Sequence, residues 1–117
     1  MTEVVIYHNP RCSKSRQTLE LLEQRGITPT IVPYLETPLS SDELRLVVSK
    51  LGLSSVRELM RTKESIYQEL ELAREQSEQQ LLLAVENNPK LMERPVVVYG
   101  ERAAIGRPPE QVLKLFE

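Results

Sequence analysis

Two strand-like runs enclose one helix-like run before residue 35, and this arrangement restricts the fold more than any other feature of the chain. Val4-Val5-Ile6-Tyr7 is β-branched or aromatic throughout and is bounded by an Asn9-Pro10 turn signal, so it reads as a short buried strand. Leu19, Leu22 and Ile27, with Leu21 beside them, carry helical spacing. They predict a helix from about Ser13 to Arg25, closed by Gly26. Thr30-Ile31-Val32-Pro33-Tyr34 reads as a second strand; Pro33 has no N–H to give to a ladder and belongs at an edge or a strand end. Strand, helix, strand in this order is a βαβ unit, which implies parallel pairing and a right-handed crossover.

The middle of the chain is helical in pattern. Ser40 with Glu43 fits a capping box, followed by Leu44, Val47, Val48 and Leu51 at i, i+3, i+4 and i+7 before Gly52. Ser55 with Glu58 fits a second box, and Ser77 with Gln80 a third that leads into Leu81, Leu82, Ala84 and Val85 before Pro89. Lys63 to Glu75 is polar, with Ile66 and Leu70 at helical spacing, and is read as helix. Pro95-Val96-Val97-Val98-Tyr99 then returns to a buried strand pattern. Gly100-Glu101 fits a two-residue turn with Arg102 to Ile105 as the antiparallel partner. Pro108-Pro109 opens a last helix with Val112, Leu113 and Phe116 on one face. The order is β-α-β, helices from about 40 to 89, then β-β-α. No repeat, linker or low-complexity stretch interrupts it, so a single domain is expected over 1–117.

A chain of 117 residues with 40% hydrophobic and 27% charged content matches a soluble globular protein. Fifteen basic and seventeen acidic side chains leave a net charge of −2, which argues against a general nucleic-acid binder. No run of about 18 apolar residues is present, so no membrane span is expected, and the N-terminus lacks a secretory signal pattern. One cysteine cannot close an internal disulfide, and with no signal the expected home is the reducing cytoplasm.

That cysteine, Cys12, stands in the polar turn Asn9-Pro10-Arg11-Cys12-Ser13-Lys14-Ser15-Arg16 between the first strand and the first helix. A lone cysteine is most often a small buried hydrophobe. Here its position favours chemistry. The unpaired N–H groups and positive dipole end of a helix point at this spot, and Arg11, Lys14 and Arg16 supply cations, so a thiolate is favoured. The same N–H groups can wrap an oxyanion. Ser15 occupies the second position of a Cys-x-x-Cys pattern, so no resolving thiol exists in the chain and an outside thiol must reduce an oxidised Cys12. One Cys and one His cannot build a structural zinc site. His8, the sole histidine, can polarise the thiol or equally be a hydrogen-bonded turn residue; the spacing leaves both open. Arg61, Arg94 and Arg107 stand at element edges. Each alone reads as a surface charge, although guanidinium is the preferred group for planar oxyanion binding.

His8-Asn9-Pro10-x-Cys12-x-x-Ser15-Arg16, Tyr34-Leu35-Glu36-Thr37-Pro38, Leu59-Met60-Arg61, Glu93-Arg94-Pro95-Val96-Val97-Val98 and Ile105-Gly106-Arg107-Pro108-Pro109 together resemble the glutaredoxin-coupled arsenate reductase family, in order and over almost the whole chain. The likeness is to the short bacterial members. It implies an α/β, thioredoxin-like fold with a mixed four-stranded sheet and an inserted helical region. It implies that Cys12 attacks arsenate, that Arg61, Arg94 and Arg107 bind the oxyanion with His8, Asn9 and Ser15 in support, and that Pro95 follows a cis bond. It also implies glutathione as co-substrate and glutaredoxin as partner, with no bound cofactor or metal and a monomeric chain. Ser13-Lys14 departs from the small uncharged residues of other reductases, and the chain lacks the C-terminal extension of longer members. The competing reading is a non-enzymatic module similar to Spx-type regulators that bind RNA polymerase. Those carry a Cys-x-x-Cys switch without the arginine set. A third reading keeps the thiol chemistry with another substrate.

Overall fold

In the computed structural model residues 3–117 are described. The chain divides into two compact units, one running through Thr37 and resuming at Arg94–Glu117, the other formed by Pro38–Glu93.

The first unit is built on a four-stranded mixed sheet in the order β2-β1-β3-β4. β1 is Val4–Tyr7, β2 Thr30–Val32, β3 Val96–Tyr99 and β4 Arg102–Ile105, and the helix α1, Ser13–Gln24, connects the first two. β1 pairs parallel with β2, placing Ile6 opposite Ile31, and antiparallel with β3, placing Ile6 opposite Val97. β3 returns into β4 through a turn in which Gly100 takes φ 63°, a conformation that favours glycine. The βαβ start and the antiparallel hairpin are those expected, and the arrangement is thioredoxin-like α/β.

The core of this unit forms where the apolar face of α1 meets the sheet and the C-terminal segment. Ile6, Leu22, Val97, Val112 and Leu115 are buried together, with Leu19, Ile27 and Phe116 packed around them. Phe116 tilts against Tyr99 with ring centroids 4.9 Å apart. Two expectations change here. β2 ends at Val32 rather than Tyr34, because Pro33 has no donor and its carbonyl instead accepts the N–H groups of Glu36 and Thr37 in a tight turn. The last helix, Pro109–Phe116, is a 3-10 helix.

The second unit is helical. α2, Ser41–Lys50, begins with the expected Ser40–Glu43 capping box and packs on α4, Glu78–Asn87, whose first turn is capped by the Ser77 hydroxyl. The Ser55–Glu58 box is also formed, but it opens a 3-10 turn, Val56–Leu59. Lys63–Glu75 is not one helix: α3 spans only Ser65–Glu69, and Glu71, at φ 54°, separates it from a 3-10 turn at Leu72–Arg74. Arg57 holds this irregular stretch, donating to the Tyr67 hydroxyl and to the Leu72 and Glu75 carbonyls. Among the described residues no helix is long and apolar enough to cross a membrane.

Candidate active site

Cys12 is the N-cap of α1, in extended conformation, and is 8% exposed. Its side chain caps nothing, and no acidic residue lies in the first turn to compete for the helix terminus. The free N–H groups of that turn are therefore available to the sulfur. Burial pushes the Cys12 thiol pKa up. The Ser15 N–H, the Arg94 charge, the Lys14 N–H and the Arg107 charge act against it and prevail, so it titrates below an ordinary thiol.

Both influential guanidinium groups come from far along the chain. Arg94 ends the segment before β3, and Arg107 follows β4. Each precedes a proline through a cis bond, Arg94–Pro95 as expected and Arg107–Pro108 in addition. Arg107 Nη2 donates to Cys12 Sγ at 3.9 Å, and its Nε donates to the Arg94 carbonyl at 3.0 Å. Arg94 Nε and Nη1 are buried without a hydrogen-bond partner. Buried donors of this kind are uncommon, and they suit an anion that accepts from them.

The sequence pointed to Arg11, Lys14 and Arg16 as the cations near the thiol. The structure gives that role to Arg94 and Arg107 instead, with Lys14 acting through its backbone N–H. Arg16 donates from Nη1 to the Pro10 carbonyl at 2.8 Å and so braces the turn. In the first turn of a helix, side chains fan outward while the N–H groups converge.

His8 is hydrogen-bonded within the turn. It is buried, and Nδ1 lies 2.6 Å from Ser15 Oγ, which also accepts the Asn9 N–H at 3.0 Å. Burial, and then the Arg16 charge, hold its pKa below the usual value, so it is neutral at pH 7. Ser15 thus serves twice: its N–H faces the sulfur and its hydroxyl anchors the loop. Asn9 closes that loop, its carbonyl accepting the Cys12 N–H and its Oδ1 the Arg11 N–H.

Arg61 belongs to the helical unit. Its Nη1 pairs with Glu64 at 2.7 Å, its Nε lies 3.5 Å from Glu93, and its N–H donates to the Leu91 carbonyl. Gly106, assigned no role of its own from the sequence, supports the thiol's surroundings. The Gly106 N–H donates to the Pro95 carbonyl at 2.9 Å, and a Cβ at Gly106 would stand 2.5 Å from Thr18 Oγ1 and 2.8 Å from Pro95 Cγ. The glycine ahead of Arg107-Pro108 was the available signal. Among the described residues no group of three or more His, Cys, Asp or Glu side chains is placed to hold a metal.

Residues 7–115 match the profile of the ArsC family. A Haemophilus influenzae arsenate reductase is 49% identical over 114 residues, covering 97% of this chain and 98% of its own. The uncharacterized protein YfgD of Escherichia coli K12 is 57% identical over 114 residues, covering 97% of this chain and 96% of its own. Among solved structures, an arsenate reductase from Vibrio cholerae superimposes with a TM-score of 0.94 at 54% identity, over 97% of each chain.

Proposed function

This chain belongs to the ArsC family, and on that premise we propose that it reduces arsenate to arsenite with Cys12 as nucleophile. The observation that carries the reading is the buried Cys12 sulfur at a helix terminus with Arg107 at 3.9 Å and the unpartnered donors of Arg94 beside the same loop. Arsenate is a tetrahedral oxyanion, and relatives across nearly their full length are named for its reduction.

In this reading the Cys12 thiolate attacks arsenic and displaces an oxygen, which leaves as water. Arg94 and Arg107 hold the remaining oxygens, while His8, Asn9 and Ser15 keep the loop in shape. Glutathione then displaces a second oxygen on the adduct. Formation of a sulfur–sulfur bond between Cys12 and glutathione sends two electrons to arsenic and releases arsenite. Glutaredoxin removes glutathione from the mixed disulfide and restores the thiol. No bound cofactor is needed, the chain acts as a monomer, and the reducing cytoplasm suits the thiol supply.

Arsenite formation by purified protein, with glutathione and glutaredoxin left out one at a time, tests the scheme. Activity should need both and fall to background in Cys12→Ser, since a hydroxyl without a neighbouring base is a poor nucleophile. Activity surviving in Cys12→Ser would overturn it. A wild-type protein that binds the anion over Cys12 but leaves it unreduced would direct attention to another oxyanion or a disulfide.

A further inference from the structure

We propose that the cavity of about 290 Å³ between the Asn9–Arg11 turn and the loop after β2 is the subsite for the tripeptide thiol, an inference that rests on the thiol-dependent reading above. Asn9, Pro10 and Arg11 line one side, Pro33, Leu35 and Glu36 the other, and His8 completes it. Its size lies near the lower end for small-molecule pockets, about 300 Å³. It opens at the carboxyl ends of the two parallel strands, where open α/β sheets commonly take ligands. The His8 N–H donates to the Val32 carbonyl at 2.9 Å and joins those strand ends.

The lining has the charge pattern of a glutathione-type peptide. Such a molecule carries two carboxylates and one ammonium at pH 7. Arg11 offers a planar fork for a carboxylate and Glu36 an acceptor for the ammonium. Among the described residues neither side chain has an ion pair or hydrogen bond, so both are free to engage a ligand. Pro10, Pro33 and the 40% exposed Leu35 give apolar contact for the methylene groups between the charges. Arg11 adjoins Cys12, and an extended tripeptide spans about 10 Å, enough to lie in the cavity and bring its sulfur to the reacting thiol.

The test avoids arsenate. Cys12 of the intact protein attacks glutathione disulfide, forming the Cys12–glutathione disulfide and releasing one glutathione thiolate. The same attack on hydroxyethyl disulfide, which is uncharged, serves as reference. The ratio of the two rates cancels any general change in thiol reactivity. Arg11→Gln and Glu36→Gln should each lower this ratio about threefold, the scale of an exposed charge pair. Glu36→Lys should lower it further. In Cys12→Ser, reduced glutathione should shift the backbone NMR signals of Arg11, Leu35 and Glu36. An unchanged ratio in both glutamine variants, or shifts centred elsewhere, would overturn the subsite. A protein that shows both effects yet reduces no arsenate would retain the subsite and refute the arsenate reading.

Discussion

At the residue scale the chemistry turns on how four groups offset the burial of one sulfur. Alkylation of Cys12 against pH should give a midpoint below that of a free thiol, about 8.5, and Arg94→Gln should raise it by removing a buried charge. A midpoint at or above the free value would contradict the geometry. Because the folded pKa is depressed, thiolate formation stabilises the fold above the unfolded pKa, and that contribution is lost as pH falls through the folded value. His8 acts in a lower window. Its folded pKa is also depressed, so the unfolded chain takes up a proton first, and stability present above about 6.5 is lost as pH falls to the folded value. Denaturant unfolding of wild-type protein and His8→Gln between pH 4 and 8 should show that this acid-side loss disappears in the variant. Arg94→Lys should weaken arsenate binding about tenfold, roughly 1.4 kcal/mol, because an ammonium cannot reproduce the fork of donors; an unchanged KM would remove Arg94 from the oxyanion site.

At the element scale the sequence was most legible where structure is local. The β1 run, the α1 spacing with Gly26, the Gly100 turn and the Ser40 and Ser55 boxes all depend on residues a few positions apart, and all are present. What could not be read is tertiary. Arg94 and Arg107 reach a cysteine 82 and 95 positions away, as the numbering 94 − 12 and 107 − 12 shows, and no periodicity encodes that approach. The helical unit has the same character. Glu86 of α4 accepts the Ser41 N–H and hydroxyl at the start of α2, and Glu78 accepts the Ser55 hydroxyl and the Val56 N–H. One helix therefore caps two earlier elements, and Glu86→Ala should lower stability by about 1 kcal/mol in denaturant unfolding. At the β4 corner, Gly106→Ala should lower it by about 1–3 kcal/mol, since the Thr18 hydroxyl and the Pro95 ring must give way to the added carbon. The same variant should slow Cys12 alkylation by displacing Arg107; a variant of unchanged stability and reactivity would show that the corner relaxes freely.

At the scale of the whole molecule, the strand order decides where the structure opens least readily. β1 and β3 are paired on both sides, whereas β2 and β4 are edges. Hydrogen exchange should therefore be slowest at Ile6 and Val97 and faster along Thr30–Val32; the reverse order would contradict the register. The chain also holds a single sulfur able to form a disulfide, and in the second position of a Cys-x-x-Cys spacing Ser15 is fully buried with its hydroxyl bound to His8 and Asn9. Oxidation to a disulfide consequently cannot be closed inside the molecule as a ring. Every disulfide of Cys12 carries added mass, a borrowed thiol or a second copy of the chain. The mass of the intact protein is thus a direct register of what it last reacted with.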